Sequence, residues 1–128
     1  MENKAAINKK ILVVDDDPSL VKLVATLLES RGYAVWSSSD APEGLEIAMK
    51  DKPDLIILDV MMPVINGFNI CRLLKSQDLQ KKIPIILLTS RATEEDRHIG
   101  CEVGADAYFC KPLDTGNFLA KVEELIGK

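Results

Sequence analysis

Four separated stretches of the 128-residue chain carry groups able to do polar chemistry: Asp15-Asp16-Asp17, Asp59, Thr89-Ser90 and Lys111-Pro112. Carboxylates brought to one place repel each other, and a divalent cation or a raised pKa on one member relieves the repulsion. Oxygen donors without His or Cys favour a hard ion, and Mg²⁺ commonly binds one or two carboxylates together with water and phosphate oxygens. Mg²⁺ is therefore the expected metal, with Mn²⁺ as its substitute. A lysine and a threonine hydroxyl add a cation and a donor for an oxyanion, the equipment of phosphoryl transfer. An aspartate can serve as the nucleophile and form an aspartyl phosphate.

Each group has a plainer reading. Asp17 is an N-cap, Asp15 and Asp16 could be loop acids of a surface turn, Thr89 a strand-end hydroxyl and Lys111 a turn cation. Asp59 resists this treatment, because it stands between LIIL and VMMP, where an unpaired carboxylate is costly. Taken together, polar groups at four strand ends argue for a site.

Five short apolar runs supply those strand ends: Lys10–Val14, Tyr33–Ser37, Asp54–Leu58, Pro84–Leu88 and Ala107–Cys110. Three of them, ILVV, LIIL and IILL, are continuously apolar, as in parallel strands covered on both faces. Helical patterns lie between. Asp17 caps a helix opening at Pro18, with Leu20, Leu23, Val24, Leu27 and Leu28 on one face and Gly32 beyond its end. Asp40 and Glu43 resemble a capping box for a second helix through about Lys50. A third runs from about Gly67 to Lys75 with Ile70, Leu73 and Leu74 inward. A fourth begins at Thr93 with three acids in its first turn and ends by Gly104, with a thin apolar face of Ile99, Cys101 and Val103. The last starts near Asp114 and carries Phe118, Val122, Leu125 and Ile126. Five alternations of strand and helix predict an α/β sandwich on a parallel sheet with right-handed crossovers. In such sheets ligands bind outside the carboxyl ends of the strands, where the polar groups stand.

The length predicts one domain, residues 10–128, behind a short arm at 1–9. Sixteen basic and 20 acidic residues give a formal charge of −4, against direct nucleic-acid binding. No apolar run approaches the ~20 residues that span a bilayer, and MENKAAINKK has no signal-peptide core, so the expectation is no membrane contact and a cytoplasmic home. Cys71, Cys101 and Cys110 lack CxxC spacing and fit neither a disulfide framework nor a zinc site. His98, the single histidine, reads as a solvated helix residue, which excludes a triad or histidine metal cluster within this chain.

KILVVDDDP, LIILDVMMPVINGF, IILLTSRATEEDR and GADAYFCKPL together resemble the receiver domain of two-component response regulators, chemotaxis regulators included, over about Lys10 to Gly127. The resemblance implies a flavodoxin-like doubly wound (βα)5 sandwich with strand order 2-1-3-4-5. It implies a phosphoprotein signalling switch in which Asp59 accepts a phosphoryl group from a histidine on a sensor kinase or phosphotransfer protein. Asp16 resembles the direct Mg²⁺ ligand, with Asp15 holding the ion through water, and Asp59 and the Met61 carbonyl completing the set. Lys111 resembles the cation on the phosphoryl oxygens, Thr89 the switch hydroxyl and Tyr108 the aromatic that follows it. Catalysis of its own phosphorylation and dephosphorylation, a cis Lys111–Pro112 bond and a monomer when unphosphorylated are implied too. An output domain or target protein would read the switch. Leu113 and Cys110 depart from the usual pattern, and Met61 and Arg91 are expected to flank the site and tune the phosphoryl lifetime.

A phosphoryl group brings about −1.5 to −2 charges, and drawing Thr89 toward it should shift the weakly packed fourth helix. The expected output face is that helix with the fifth strand and fifth helix. Charge crowding predicts that Asp16→Asn raises the melting temperature without Mg²⁺. Rival readings remain. Asp15-x-Asp17 followed by Pro18-Ser19 resembles a haloacid-dehalogenase-like phosphatase motif with Asp15 as nucleophile. A flavin-binding module would need a phosphate loop where three acids stand. A receiver-like interaction module that is never phosphorylated would leave the acid, threonine and lysine set without a use.

Overall fold

The computed structural model describes residues 8–90 and 93–127. Its elements alternate as β1 (Lys10–Val14), α1 (Pro18–Glu29), β2 (Ala34–Ser38), α2 (Ala41–Asp51), β3 (Leu55–Asp59), α3 (Gly67–Lys75), β4 (Ile85–Thr89), α4 (Glu94–Glu102), β5 (Ala107–Cys110) and α5 (Thr115–Ile126). The sheet is parallel in the order β2-β1-β3-β4-β5, the order expected. Of the arm, residues 1–7 lie outside the described residues.

Alternation along the strands divides the core. Leu12, Val14, Ile56, Leu58, Ile85 and Leu87 face α2, α3 and α4. Ile11, Val13, Leu55, Ile57, Ile86 and Leu88 face α1 and α5. Both faces are therefore sealed, which explains the unbroken apolar runs. Asp17, Asp40, Asn66, Thr93 and Asp114 cap the five helices, each side chain accepting from an amide of the first turn. At α2 only half of the capping box forms. Glu43 accepts instead from the Ser38 hydroxyl at 2.6 Å, and the Asp40 amide donates to Ser38 Oγ at 3.2 Å.

Three strands begin one residue later than expected. The Tyr33 amide turns back to Leu28 O while its phenol reaches Gly127 O at 2.6 Å, and Pro84 has no amide to give. In consequence Asp59 and Thr89 are the last residues of β3 and β4, paired with Leu88 and Cys110. Side-chain orientation also departs from expectation. Leu23 and Leu73 are each 45% exposed, because α1 centres its buried stripe on Val24 and Leu28, with Val21 packed beside them, and α3 turns Phe68, Ile70, Cys71 and Leu74 inward. On α4, Cys101 is exposed and the buried helical residues are Asp96 and Gly100. The thin apolar face is thus thinner than its sequence implied.

At the amino edge of the sheet a polar anchor joins three elements. Asp106 Oδ2 accepts from the Ile85 amide at 2.8 Å and from Lys75 Nζ at 3.1 Å, and Lys75 Nζ also reaches Ile83 O at 2.9 Å. Beside it, Cys71 Sγ lies 3.5 Å from the carbonyl of Val103, the C-cap of α4.

Candidate functional site

The carboxyl edge gathers the predicted groups. Asp15 follows β1 and is fully buried, its amide held by Ser38 O at 3.1 Å and its Oδ1 by the Asp17 amide at 2.9 Å. That local turn aims the second carboxylate oxygen inward while Asp17 is spent on capping α1, as expected. Asp16 is exposed at the rim. Asp59 is 4% exposed, and its Oδ1 accepts from the Met61 amide at 3.3 Å. One oxygen of each of Asp15, Asp16 and Asp59 lies within 4.8 Å of the others.

Strand pairing continues past the strand ends and fixes the site. Val60 N bonds Leu88 O at 2.8 Å, and Lys111 N bonds Thr89 O at 2.7 Å. Lys111 Nζ thereby lies 2.9 Å from Asp15 Oδ2 and 3.5 Å from Asp59 Oδ1. The Lys111–Pro112 peptide is cis, as the resemblance implied. Burial pushes the Asp59 carboxyl up to about 6, and the Asp15 and Asp16 charges push the same way against Lys111 and the Met61 amide. Burial works against the charge on Lys111, yet its bond to Asp15 and the Asp59 charge outweigh that and hold its pKa above the usual lysine value.

This donor set fits a hard divalent cation. Asp15 Oδ2 is buried with no hydrogen bond of good geometry among the described residues and lies 2.9 Å from the Lys111 ammonium. The carboxyl with the raised pKa is the one whose ionisation a cation would restore.

Thr89 is buried at the end of β4, and a side-chain hydrogen bond joins it to Tyr108. The Tyr108 ring packs over α4. A Cβ on Gly100 would lie 3.0 Å from its Cδ2, and the Arg97 guanidinium stands 5.6 Å from the ring centroid. Arg97 also reaches Cys110 Sγ at 3.6 Å, so Cys110 is half-buried and not a sealed core residue. Ser90 points to solvent, His98 is exposed beside Glu102, and Met61 is 48% exposed; Arg91 lies outside the described residues.

Sequence reasoning missed three features here. At Gly67 a Cβ would fall 2.5 Å from the Asp59 carbonyl oxygen, so α3 can start against β3 only with glycine; its place after the cap Asn66 was the available signal. Gly100 is likewise the floor under Tyr108, and Arg97 covers the ring.

A five-stranded doubly wound sheet with buried acids, a lysine and a threonine at its carboxyl edge defines a flavodoxin-like domain of the phosphorylatable kind. The chain belongs to the response regulator receiver domain family, whose model matches residues 11–123. It is 44% identical over 120 residues to the alkaline phosphatase synthesis transcriptional regulatory protein PhoP of Bacillus subtilis, covering 94% of this chain and 49% of that one. Chemotaxis protein CheY4 of Vibrio cholerae superposes with a TM-score of 0.85 at 34% identity, covering 92% and 98% of the two chains. The receiver domain of sensor histidine kinase PA1611 from Pseudomonas aeruginosa, solved with a magnesium ion coordinated in its active-site cleft, superposes with a TM-score of 0.85 at 28% identity over 94% and 99%. The chain spans about half or less of the length of the curated relatives it matches. As a receiver domain it is a phosphorylatable signalling switch, and the phosphatase, flavin and unphosphorylated readings lose their ground. No helix among the described residues is long and apolar enough to cross a membrane.

Proposed function

We propose that Asp59 is the phosphoacceptor and that the chain, as one receiver unit over residues 10–128 behind the arm at 1–9, takes its phosphoryl group from a phosphohistidine on a sensor kinase or phosphotransfer protein. The observation that carries this reading is the Asp59 carboxylate, nearly buried yet 3.5 Å from Lys111 Nζ and clustered with Asp15 and Asp16. An Asp59 oxygen attacks phosphorus, the P–N bond breaks and the departing imidazole keeps its electron pair and takes up a proton. Lys111 swings from its two carboxylates to the phosphoryl oxygens. Mg²⁺ or Mn²⁺, held by Asp16, Asp59, the Met61 carbonyl and, through water, Asp15, supplies the positive charge that lets anionic acceptor and anionic donor meet. Return to the ground state is the chain's own hydrolysis, in which water attacks phosphorus and the bond to Asp59 breaks. Half-exposed Met61 borders that approach and sets the lifetime.

Thr89 turns its hydroxyl from Tyr108 toward the phosphoryl group, Tyr108 follows, and α4, β5 and α5 present the change to an output domain or target protein. The working compartment is the cytoplasm, and the unphosphorylated chain is a monomer. The test is intact mass after incubation with acetyl phosphate and Mg²⁺, beside Asp59→Asn, Asp15→Asn and an EDTA control. A metal-dependent gain of one phosphoryl group that Asp59→Asn abolishes supports the reading. Labelling that survives Asp59→Asn and disappears in Asp15→Asn overturns it.

A further inference from the structure

The connection from β3 to α3 holds one residue in a conformation that its side chain disfavours. Val64 has φ 74°, and the Ile65 amide bonds Pro63 O at 2.9 Å across it. An i→i+2 bond around a positive φ is the rare, strained form of the γ-turn, and a β-branched residue is the least suited to it. The Val64 side chain, 85% exposed, contributes little packing to offset the strain. The loop beneath it is firmly built. Gly67 N bonds Val60 O at 3.0 Å and closes the loop at its base, while Met62 and Phe68 are buried under it. Val64 is therefore an apolar knob on a rigid mount, five residues past Asp59, and Met61 is a second exposed apolar side chain of the same loop.

Resting on the phosphoacceptor reading, we propose that Val64 is a specificity-determining contact for the protein phosphodonor, which must present an apolar surface beside its phosphohistidine. Asp59 is nearly buried, so a donor as large as a protein brings phosphorus to it by seating on the rim of the site, and the loop that closes on Val60 forms part of that rim. Strain at an exposed apex is kept where the conformation serves a contact. A preformed turn loses little entropy when it is covered, and one buried valine on a preorganised loop changes affinity measurably. A small donor needs no rim and is indifferent to the knob.

The experiment compares two donors on the parent chain, Val64→Gly, Val64→Lys and Val64→Ile. Acetyl phosphate is the small donor, and the protein donor is whichever autophosphorylated histidine kinase of a purified panel labels the parent chain fastest. The expected result is a KM for the protein donor raised about five- to tenfold in Val64→Gly and more in Val64→Lys, with kcat kept, Val64→Ile behaving as the parent, and the acetyl phosphate rate unchanged throughout. Equal losses with both donors, or no loss in Val64→Gly and Val64→Lys, overturn the proposal. Failure of acetyl phosphate to label Asp59 in the parent chain is a separate outcome, and it removes the phosphoacceptor reading together with this one.

Discussion

Lys111 makes its shortest ion pair with Asp15, at 2.9 Å, and stands 3.5 Å from Asp59, the proposed acceptor. One ammonium thus holds two buried carboxylates that would otherwise face each other unshielded, and its shorter bond is to Asp15 and not to the proposed acceptor. The acceptor is left the less neutralised of the two.

Lys111→Met should destabilise the metal-free domain by about 3 kcal/mol, because removing one partner of a buried pair leaves the other charge unpaired. Urea denaturation in EDTA reads the loss. Mg²⁺ should restore more stability to the variant than it adds to the parent.

Asp59→Asn should act in the opposite direction. The Asp59 carboxyl titrates near 3.8 when unfolded and at about 6 in the fold, so between these values the folded state keeps a proton that the unfolded state has lost. Stability from this group is therefore full below the unfolded value and falls as pH rises toward 6, by at most about 3 kcal/mol. Without metal at pH 7, Asp59→Asn should melt several degrees higher than the parent and should lose that pH slope. Asp16→Asn, expected from sequence to do the same, should give less, since exposed Asp16 is the smallest of the influences on Asp59.

Cation binding should follow the same ionisation. Protonated Asp59 is a poor ligand, so Mg²⁺ affinity measured by titration calorimetry should be about tenfold weaker at pH 5 than at pH 7. An affinity unchanged over that interval would place the ion away from Asp59.

Gly100→Ala should expel the Tyr108 ring. The new methyl would lie 3.0 Å from Tyr108 Cδ2, and the half-buried ring can swing outward, away from Thr89 and Arg97. Alanine gains up to about 1 kcal/mol in helix propensity, so the melting point should move little. The Tyr108 ring resonances should shift toward those of an exposed tyrosine, and the Thr89 signals should move with them.

How far the sequence could be read depended on what each feature required. Runs such as ILVV and LIIL announce strands buried on both faces, and acids after such runs announce a site, because both are properties of residue type and order. β1 and β5 start where their apolar runs start, while β2 and β4 start one residue late, since those starts depend on where Tyr33 and Pro84 send or lack an amide. Leu23 and Leu73 fit an apolar stripe equally well inside or outside, and only the way each helix is turned on the sheet decides. The roles of Gly67, Gly100 and Val64 are matters of tenths of an ångström and of one dihedral angle, which no spacing rule encodes.

The anchor of Lys75, Asp106 and Ile85 lies at the edge of the sheet opposite the acids, next to the end of α4 that Cys71 touches through Val103. The other end of α4 begins at Glu94, just past β4 and Thr89, and the helix buries only Asp96 and Gly100. A rod pinned at one end and loosely seated along its length moves as a lever. If Thr89 is drawn to a phosphoryl group as proposed, α4 should swing about Val103 with the greatest travel at Glu94 and the least at Glu102, so a reader of the switch would gain most by gripping the first turn of that helix.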